Sequence, residues 1–230
     1  MVFNCQFQPT FWITLLNVYT CKATLTDLNT TTLTQVRGDH FPDRTNDQVE
    51  FLWVYDQDVD FIPSNIDAFF PNIRGILWAK TNLSVITLDD LRQFPKLTFF
   101  NCYTNKLRSI PGDLFTFARS ATYINLADNL IEHVGEGLLD GMNNLEKVGF
   151  ERNVCIDEGA FTRDDVPLLI EILLAQCSSG TSTSPTTPII PTTTFLPPSE
   201  CPEACTERIN QLEDRLAEVE RLLRETTARS

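Results

Sequence analysis

With 230 residues, 42% of them hydrophobic and 21% charged, the chain holds one domain of ordinary size with an appendage, and enough apolar material for a real core. Its formal net charge of −13 argues against sequence-independent nucleic-acid binding, which needs clustered cations to displace counterions. No run of about 20 apolar residues is present, so no membrane-spanning helix is expected.

The first expected unit is an N-terminal cap over residues 1–48. Its opening, MVFNCQFQPTFWITLLNVYTC, lacks the basic region of a secretory signal, and Pro9 and Thr10 break its apolar run. Met1 is read as the start of a mature chain or of an incomplete gene model, with the secretory signal missing. Cys5 and Cys21 sit on either side of a stretch that suits a hairpin closed by a disulfide. Asn29, followed by Thr30 and Thr31, matches the N-glycosylation sequon, as does Asn82, followed by Leu83 and Ser84.

Residues 49–154 carry an internal repeat. Val49, Ile73, Leu97, Ala121 and Leu145 stand 24 residues apart, and each opens a unit with apolar residues at offsets 4 and 6 from it, counting the opener as 1. These pairs are Leu52 and Val54, Ile76 and Trp78, Phe100 and Cys102, Ile124 and Leu126, Val148 and Phe150. Offset 9 holds Asn105, Asn129 and Asn153 in the last three units, with Gln57 and Thr81 in the first two. Offset 14 is again apolar (Ile62, Ile86, Ile110, Val134), as is offset 22 (Phe70, Phe94, Ala118, Met142). Residues two apart share one face of a strand, so offsets 4 and 6 should point into a core. Asparagines at one offset can form a ladder of amides that satisfies the backbone leaving each strand. No unit buries its own face, so stability must come from stacking.

This is the LxxLxLxxNxL pattern, and the chain resembles leucine-rich-repeat proteins. The resemblance implies an α/β repeat fold: a solenoid with a curved parallel sheet, 24 residues per turn and capped ends.

Residues 155–177 suit the C-terminal cap, with a helix from roughly Pro167 to Ala175 between Cys155 and Cys177. Cys102 falls at an inward offset and reads as a free buried thiol. Residues 178–200, SSGTSTSPTTPIIPTTTFLPPSE, cannot build a core and read as a Thr/Ser/Pro stalk, either O-glycosylated and extended or an unmodified linker. Residues 201–230 follow with Ile209, Leu212, Leu216, Val219 and Leu223 in alternating steps of 3 and 4, a coiled-coil seam. Arg208 and Arg215 at g face Glu213 and Glu220 at e in a parallel pair, which permits a homodimer, while Leu222 widens the stripe and leaves room for another partner. Under three full heptads is marginal for association alone. Cys201 and Cys205 are read as interchain disulfides that supply the rest, an intrachain 201–205 bridge being the alternative.

Side chains between the inward positions should face the concave surface. Tyr55, Arg74, Lys80, Phe99, Tyr103, Tyr123 and Arg152 are the candidate ligand contacts: exposed aromatics flanked by both charges make a protein-binding hot spot. Phe51 and Trp53 lie on the same face, where packing against the N-terminal cap is an equal reading. No GxSxG, P-loop or HExxH motif is present, and the two histidines, His40 and His133, are far apart. No catalytic residue, metal or cofactor is expected.

The stretches GDHFPDRTNDQVEFLWVYDQDVDFIPSNIDAFFPNIRGI and NLIEHVGEGLLDGMNNLEKVGFERNVCID resemble secreted arthropod leucine-rich-repeat proteins. The order of capped repeats, cysteines and coiled coil is similar to that of the mosquito leucine-rich immune proteins, although the coiled coil here is far shorter and the stalk is foreign to that pattern. The resemblance implies a secreted, extracellular, non-catalytic recognition or adaptor protein. It would bind a protein ligand, form homo- or hetero-oligomers through its tail, and act in innate immunity. A structural or adhesive extracellular component is the alternative at this stage.

Overall fold

A computed structural model of the chain describes residues 1–10 and 18–178. The stalk beyond Ser178, Cys201, Cys205 and the seam residues Ile209 to Leu223 lie outside the described residues. The strands are β1 (Val2–Thr10), β2 (Val18–Thr26), β3 (Gln35–Arg37), β4 (Phe51–Tyr55), β5 (Gly75–Ala79), β6 (Phe99–Asn101), β7 (Ser109–Ile110), β8 (Tyr123–Asn125), β9 (His133–Val134), β10 (Lys147–Gly149) and β11 (Gly159–Ala160). The α-helices are α1 (Leu88–Arg92) and α2 (Val166–Gln176). Among the described residues nine strands form one sheet in the order β11-β10-β8-β6-β5-β4-β2-β1-β3, and β7 pairs with β9 on the return side of the coil.

From β2 through β10 every pairing is parallel and advances one repeat at a time: Leu52 lies beside Ile76, Ile76 beside Phe100, Phe100 beside Ile124 and Ile124 beside Val148. The chain is thus a leucine-rich-repeat solenoid with a 24-residue turn. Offsets 1, 4 and 6 are buried in all five units, and offsets 14 and 22 close the far wall. Phe70 and Phe94 are both buried at offset 22, and Phe100 meets Phe115 edge-on at 5.6 Å. Each such ring removed from water is worth about 1.5–3 kcal/mol. Where β7 and β9 run together, Gly112 and Gly135 abut so closely that a Cβ on Gly112 would lie 1.9 Å from the carbonyl oxygen of Glu136.

The offset-9 residues hold one turn to the next. Asn129 donates to the carbonyls of Cys102 in the preceding repeat (3.0 Å) and Leu126 in its own (3.1 Å), and its Oδ1 accepts from the amide of Leu107 (3.1 Å). Asn105 bonds Trp78 and Cys102 in the same way and receives Thr81, while Asn153 bonds Leu126 and Phe150 and receives Ile131. Gln57 extends the series to the cap, donating to Ala23 and accepting from Leu25. One position earlier, Asp56, Lys80, Thr104, Asp128 and Arg152 all take positive φ, between 51° and 57°, although none is glycine. That turn swings the backbone inward to deliver offset 9. The first four of these amides each donate to a carbonyl in the next repeat, such as Thr104 to Ala127 at 3.0 Å.

Both ends are capped covalently. The β1–β2 hairpin carries the Cys5–Cys21 disulfide and pairs through β2 with β4. His40 locks the following loop onto it: its ring stacks on Phe7 at 3.8 Å, Nδ1 meets the Tyr19 hydroxyl at 2.9 Å, and Nε2 meets Asn46 Oδ1 at 2.9 Å. At the other end α2 buries Val166, Leu169 and Leu173, and Cys155–Cys177 ties it to the last repeat. The Cys102 thiol lies fully buried in the third unit.

Two opposite outcomes are expected from substitutions one repeat apart, both read by urea unfolding. Asn129→Ala leaves the buried Leu107 amide and the Cys102 and Leu126 carbonyls short of partners and should cost about 3 kcal/mol. Thr104→Gly relieves a β-branched residue held at φ 55° and should gain about 1 kcal/mol.

Candidate functional site

The sheet has a second face, turned away from the solenoid core, and strand parity decides what stands on it. Register aligns three rows across the repeats. The first is Phe51, Gly75, Phe99, Tyr123 and Lys147; the second is Trp53, Leu77, Asn101, Asn125 and Gly149. The third begins with Tyr55 beside Ala79 and continues at the same offset through Tyr103, Ala127 and Glu151. In the first and third rows, rings of the first and third units therefore flank small Gly75 and Ala79 of the second, so that rings two strands apart can meet.

They do meet, and they form an apolar cluster separate from the solenoid core. Val18 of β2, Phe51, Leu77, Ala79 and Phe99 are buried in it, with Trp53, Tyr55, Tyr103 and Tyr123 packed against them and half-buried. Phe99 stacks on Tyr123 at 4.4 Å and tilts against Phe51 at 5.7 Å. At 1% exposure it is a floor beneath the tyrosines, not a contact residue as its offset suggested. Phe51 shares its cluster with Val18 of the N-terminal cap.

Cations border the cluster on one side. Lys22 lies over the Trp53 ring at 5.7 Å and Lys80 over the Tyr55 ring at 5.3 Å. The Lys80 ammonium, followed by the Tyr103 hydroxyl, holds the Tyr55 phenol below its ordinary range, and Tyr55 in turn raises Lys80. Burial, then the neighbouring Tyr55, pushes Tyr103 up; burial does the same to Tyr123.

The three expected cationic contacts all stand off the rows. Arg74 has the parity of the inward Ile76 and sits just before β5, where it pairs with Glu50 at 3.3 Å. Lys80 and Arg152 occupy the left-handed turns past the strand ends, and only Lys80 reaches back over an aromatic ring of the face. Arg152 is clasped by Asp128 through both carboxylate oxygens at 2.5 Å. Turns of this hand advertise themselves through glycine, and here none is glycine, so the sequence carried no sign of them. The small residues Gly75, Ala79, Ala127 and Gly149, which shape the surface, also escaped a search for large side chains, although parity with the inward residues was enough to find them.

Of the two sequon asparagines, Asn29 is exposed, whereas Asn82 is half-buried and donates to Asp58. Among the described residues no group of three His, Cys, Asp or Glu side chains could hold a metal ion, and no helix is long and apolar enough to cross a membrane.

No protein-family sequence model matches the chain, and no curated protein matches it. Among solved structures, the chain is similar to one in the Toll–Spatzle complex, described as a molecular hub in Drosophila development and innate immunity. That match has 19% identity over 54% of this chain and 17% of the other, with a TM-score of 0.44. The glycosylated form of that complex matches at 22% identity over 46% and 14%, TM-score 0.43. A chain of the TLR13–ssRNA13 complex matches at 19% over 46% and 15%, TM-score 0.38. The chain thus spans less than a fifth of the length of these neighbours, and the likeness is one of fold alone.

Two titrations check the electrostatics of these strands. Arg152 holds Asp128 below the ordinary aspartate value of 3.8, so this pair stabilises the fold above that value and loses its contribution as pH falls through the lowered one. Asp128→Asn should cost little stability at neutral pH, because the pair is largely exposed, and the difference from wild type should close as the pH falls through the lowered Asp128 value. Burial pushes the Cys102 thiol up to about 12. At about pH 8 its alkylation, mapped by peptide mass spectrometry, should wait for global unfolding.

Proposed function

We propose that the outer face of the sheet is a protein-binding surface, and that the chain is a secreted, non-catalytic recognition or adaptor protein. The observation that carries this reading is the aromatic cluster outside the solenoid core. Nothing in the stacking of repeats requires four half-buried rings on the far side of the sheet. Rigid rings that leave part of their area open, resting on buried Phe51 and Phe99, are the anchors from which binding hot spots are built. Tyr103 and Tyr123 are the central contacts, with Tyr55 and Lys80 at one border and Arg152 at the other. Arg74 belongs to the rim at the strand starts.

The extracellular assignment is supported by disulfides at both ends of the solenoid, which persist where the environment oxidises. Asn29 is the better glycan acceptor, since its side chain is free of the bond that Asn82 makes to Asp58. Multimerisation is assigned to Cys201, Cys205 and the seam from Ile209 to Leu223 on their sequence pattern, and the innate-immune setting on the resemblance in module order.

A photo-crosslinking residue placed at Tyr103 should capture a discrete partner from the extracellular fluid of the producing organism, while one at Arg108, on the return side, should not. Tyr103→Ala and Tyr123→Ala should each weaken binding of that partner at least tenfold, or about 1.4 kcal/mol, with the chain still folded by circular dichroism at the assay temperature. Equal capture at both sites, or a matrix-bound protein indifferent to both substitutions, would favour the structural reading. On a non-reducing gel the secreted chain should run as a dimer that reductant, or Cys201→Ser with Cys205→Ser, converts to monomer.

A further inference from the structure

We infer that the C-terminal end of the outer face holds a pocket for a cationic side chain, a lysine or arginine presented by the protein partner. The inference rests on the reading of that face as the binding surface and deepens it by naming the chemistry of the contact.

A depression of about 290 Å³ opens where β8, β10 and β11 meet. This is at the small end of ligand pockets, with room for one long side chain rather than a drug-sized molecule. Its walls are Tyr123 and Phe161, the latter 65% exposed although it is a large apolar ring. The floor exists because positions 149 and 159 carry no side chain. The carboxylate of Glu151 fills part of that space: a Cβ on Gly149 would lie 2.7 Å from Oε2, and one on Gly159 would lie 2.8 Å from Oε1. The amide oxygen of Asn125 converges on the same point, 2.9 Å from that Cβ position on Gly149. It accepts from the Ala127 amide and keeps a second lone pair for another donor.

The depression carries one carboxylate, Glu151, and is lined as well by the cations Lys147 and Arg152, the second of which feels the Glu151 charge. Among the described residues Glu151 forms no ion pair. The nearby guanidinium of Arg152 is taken by both oxygens of Asp128, and Lys147 stands exposed at the start of β10. Beside Asn125 in the same row lies Asn101, only 4% exposed, whose Oδ1 has no hydrogen-bond donor. A carboxylate, the Asn125 amide oxygen with acceptor capacity in hand and two aromatic walls suit one kind of guest. Its charged head would donate to the oxygens, and its aliphatic stem would lie along the rings.

The test is a titration of the isotopically labelled full chain with N-acetyl-arginine N-methylamide and its lysine counterpart, followed by NMR at the amides of Gly149 and Gly159 and the side-chain amide of Asn125. Norleucine and glutamate counterparts serve as neutral and anionic probes. Saturable shifts with the cationic probes are expected, at a Kd of about 1 mM or somewhat weaker, as suits a single side chain cut from its interface. Glu151→Gln should weaken them at least tenfold. Gly149→Ala, whose fold circular dichroism checks, should also weaken binding, because its Cβ meets the Glu151 carboxylate and the Asn125 amide oxygen and displaces the carboxylate. No shift with either cation, equal binding of norleucine, or a preference for glutamate would overturn the pocket. If the cations fail while Tyr103→Ala still abolishes partner capture, the pocket is wrong and the binding face stands. If they bind but outer-face substitutions leave capture intact, the cation site stands and its assignment to the protein partner is overturned.

Discussion

The rest of this structure depends on one type of contact: a side-chain amide at offset 9 whose nitrogen donates to carbonyls of two successive turns of the coil and whose oxygen accepts from a backbone amide of the turn before. The backbone that leaves each strand plunges toward the interior, where water cannot satisfy it and neither sheet nor helix offers a partner. An unpaired amide there would cost about 1–3 kcal/mol. Asn105, Asn129 and Asn153 solve this three times with nearly the same bond pattern, and Gln57 with its longer side chain spans to the cap hairpin. Thr81 lacks an amide, so its hydroxyl donates to Asn105 and the neighbouring asparagine covers the gap. Because each amide must reach two turns at once, the interval between units cannot drift. The 24-residue register, the left-handed turn before each amide and the alignment of the strands all follow from that requirement.

With the register held, the two faces of the sheet are free to differ. The inner face is occupied by aliphatic residues and by Trp78, Phe100 and Phe150 in a continuous core. The outer face carries rings in units one and three, small Gly75 and Ala79 between them in unit two and a mixture thereafter, so its relief is set by residues that do not hold the coil together. Exchanging Tyr103 or Glu151 touches no amide of the ladder. A scaffold of this kind separates the residues that fold it from those free to vary, and the proposed binding role uses the second set.

Much of the architecture was legible before any coordinates, because a solenoid writes its period into the chain. Five openers 24 apart, a polar residue at offset 9 and paired cysteines at the ends were enough to give the fold, the inward residues and the span of the capping helix. The surface was less legible, for a physical reason. Whether a side chain on the outer face is a contact or a floor depends on what stands two strands away, and Phe99 disappears beneath Tyr123 although its own offset is outward. Arg74, Lys80 and Arg152 stand off the outward rows because they share the parity of the inward residues beyond the strand ends, and left-handed turns built from Asp, Lys, Thr and Arg leave no glycine to mark them. The depression beside Glu151 was invisible for the opposite reason, being made by side chains that are missing.

The position of the two disulfides has a consequence of its own. In a linear array each inner unit has two neighbours and each terminal unit one, so fraying begins at the ends and travels inward. Cys5–Cys21 and Cys155–Cys177 bind each cap into itself and leave the central units without covalent links. The middle of the molecule is thus guarded by its margins. An oxidising environment closes the coil like a book between two clasps, whereas a reducing one would let it open page by page from both covers, with the aromatic face near one margin and the depression beside Glu151 near the other released before the spine gives way.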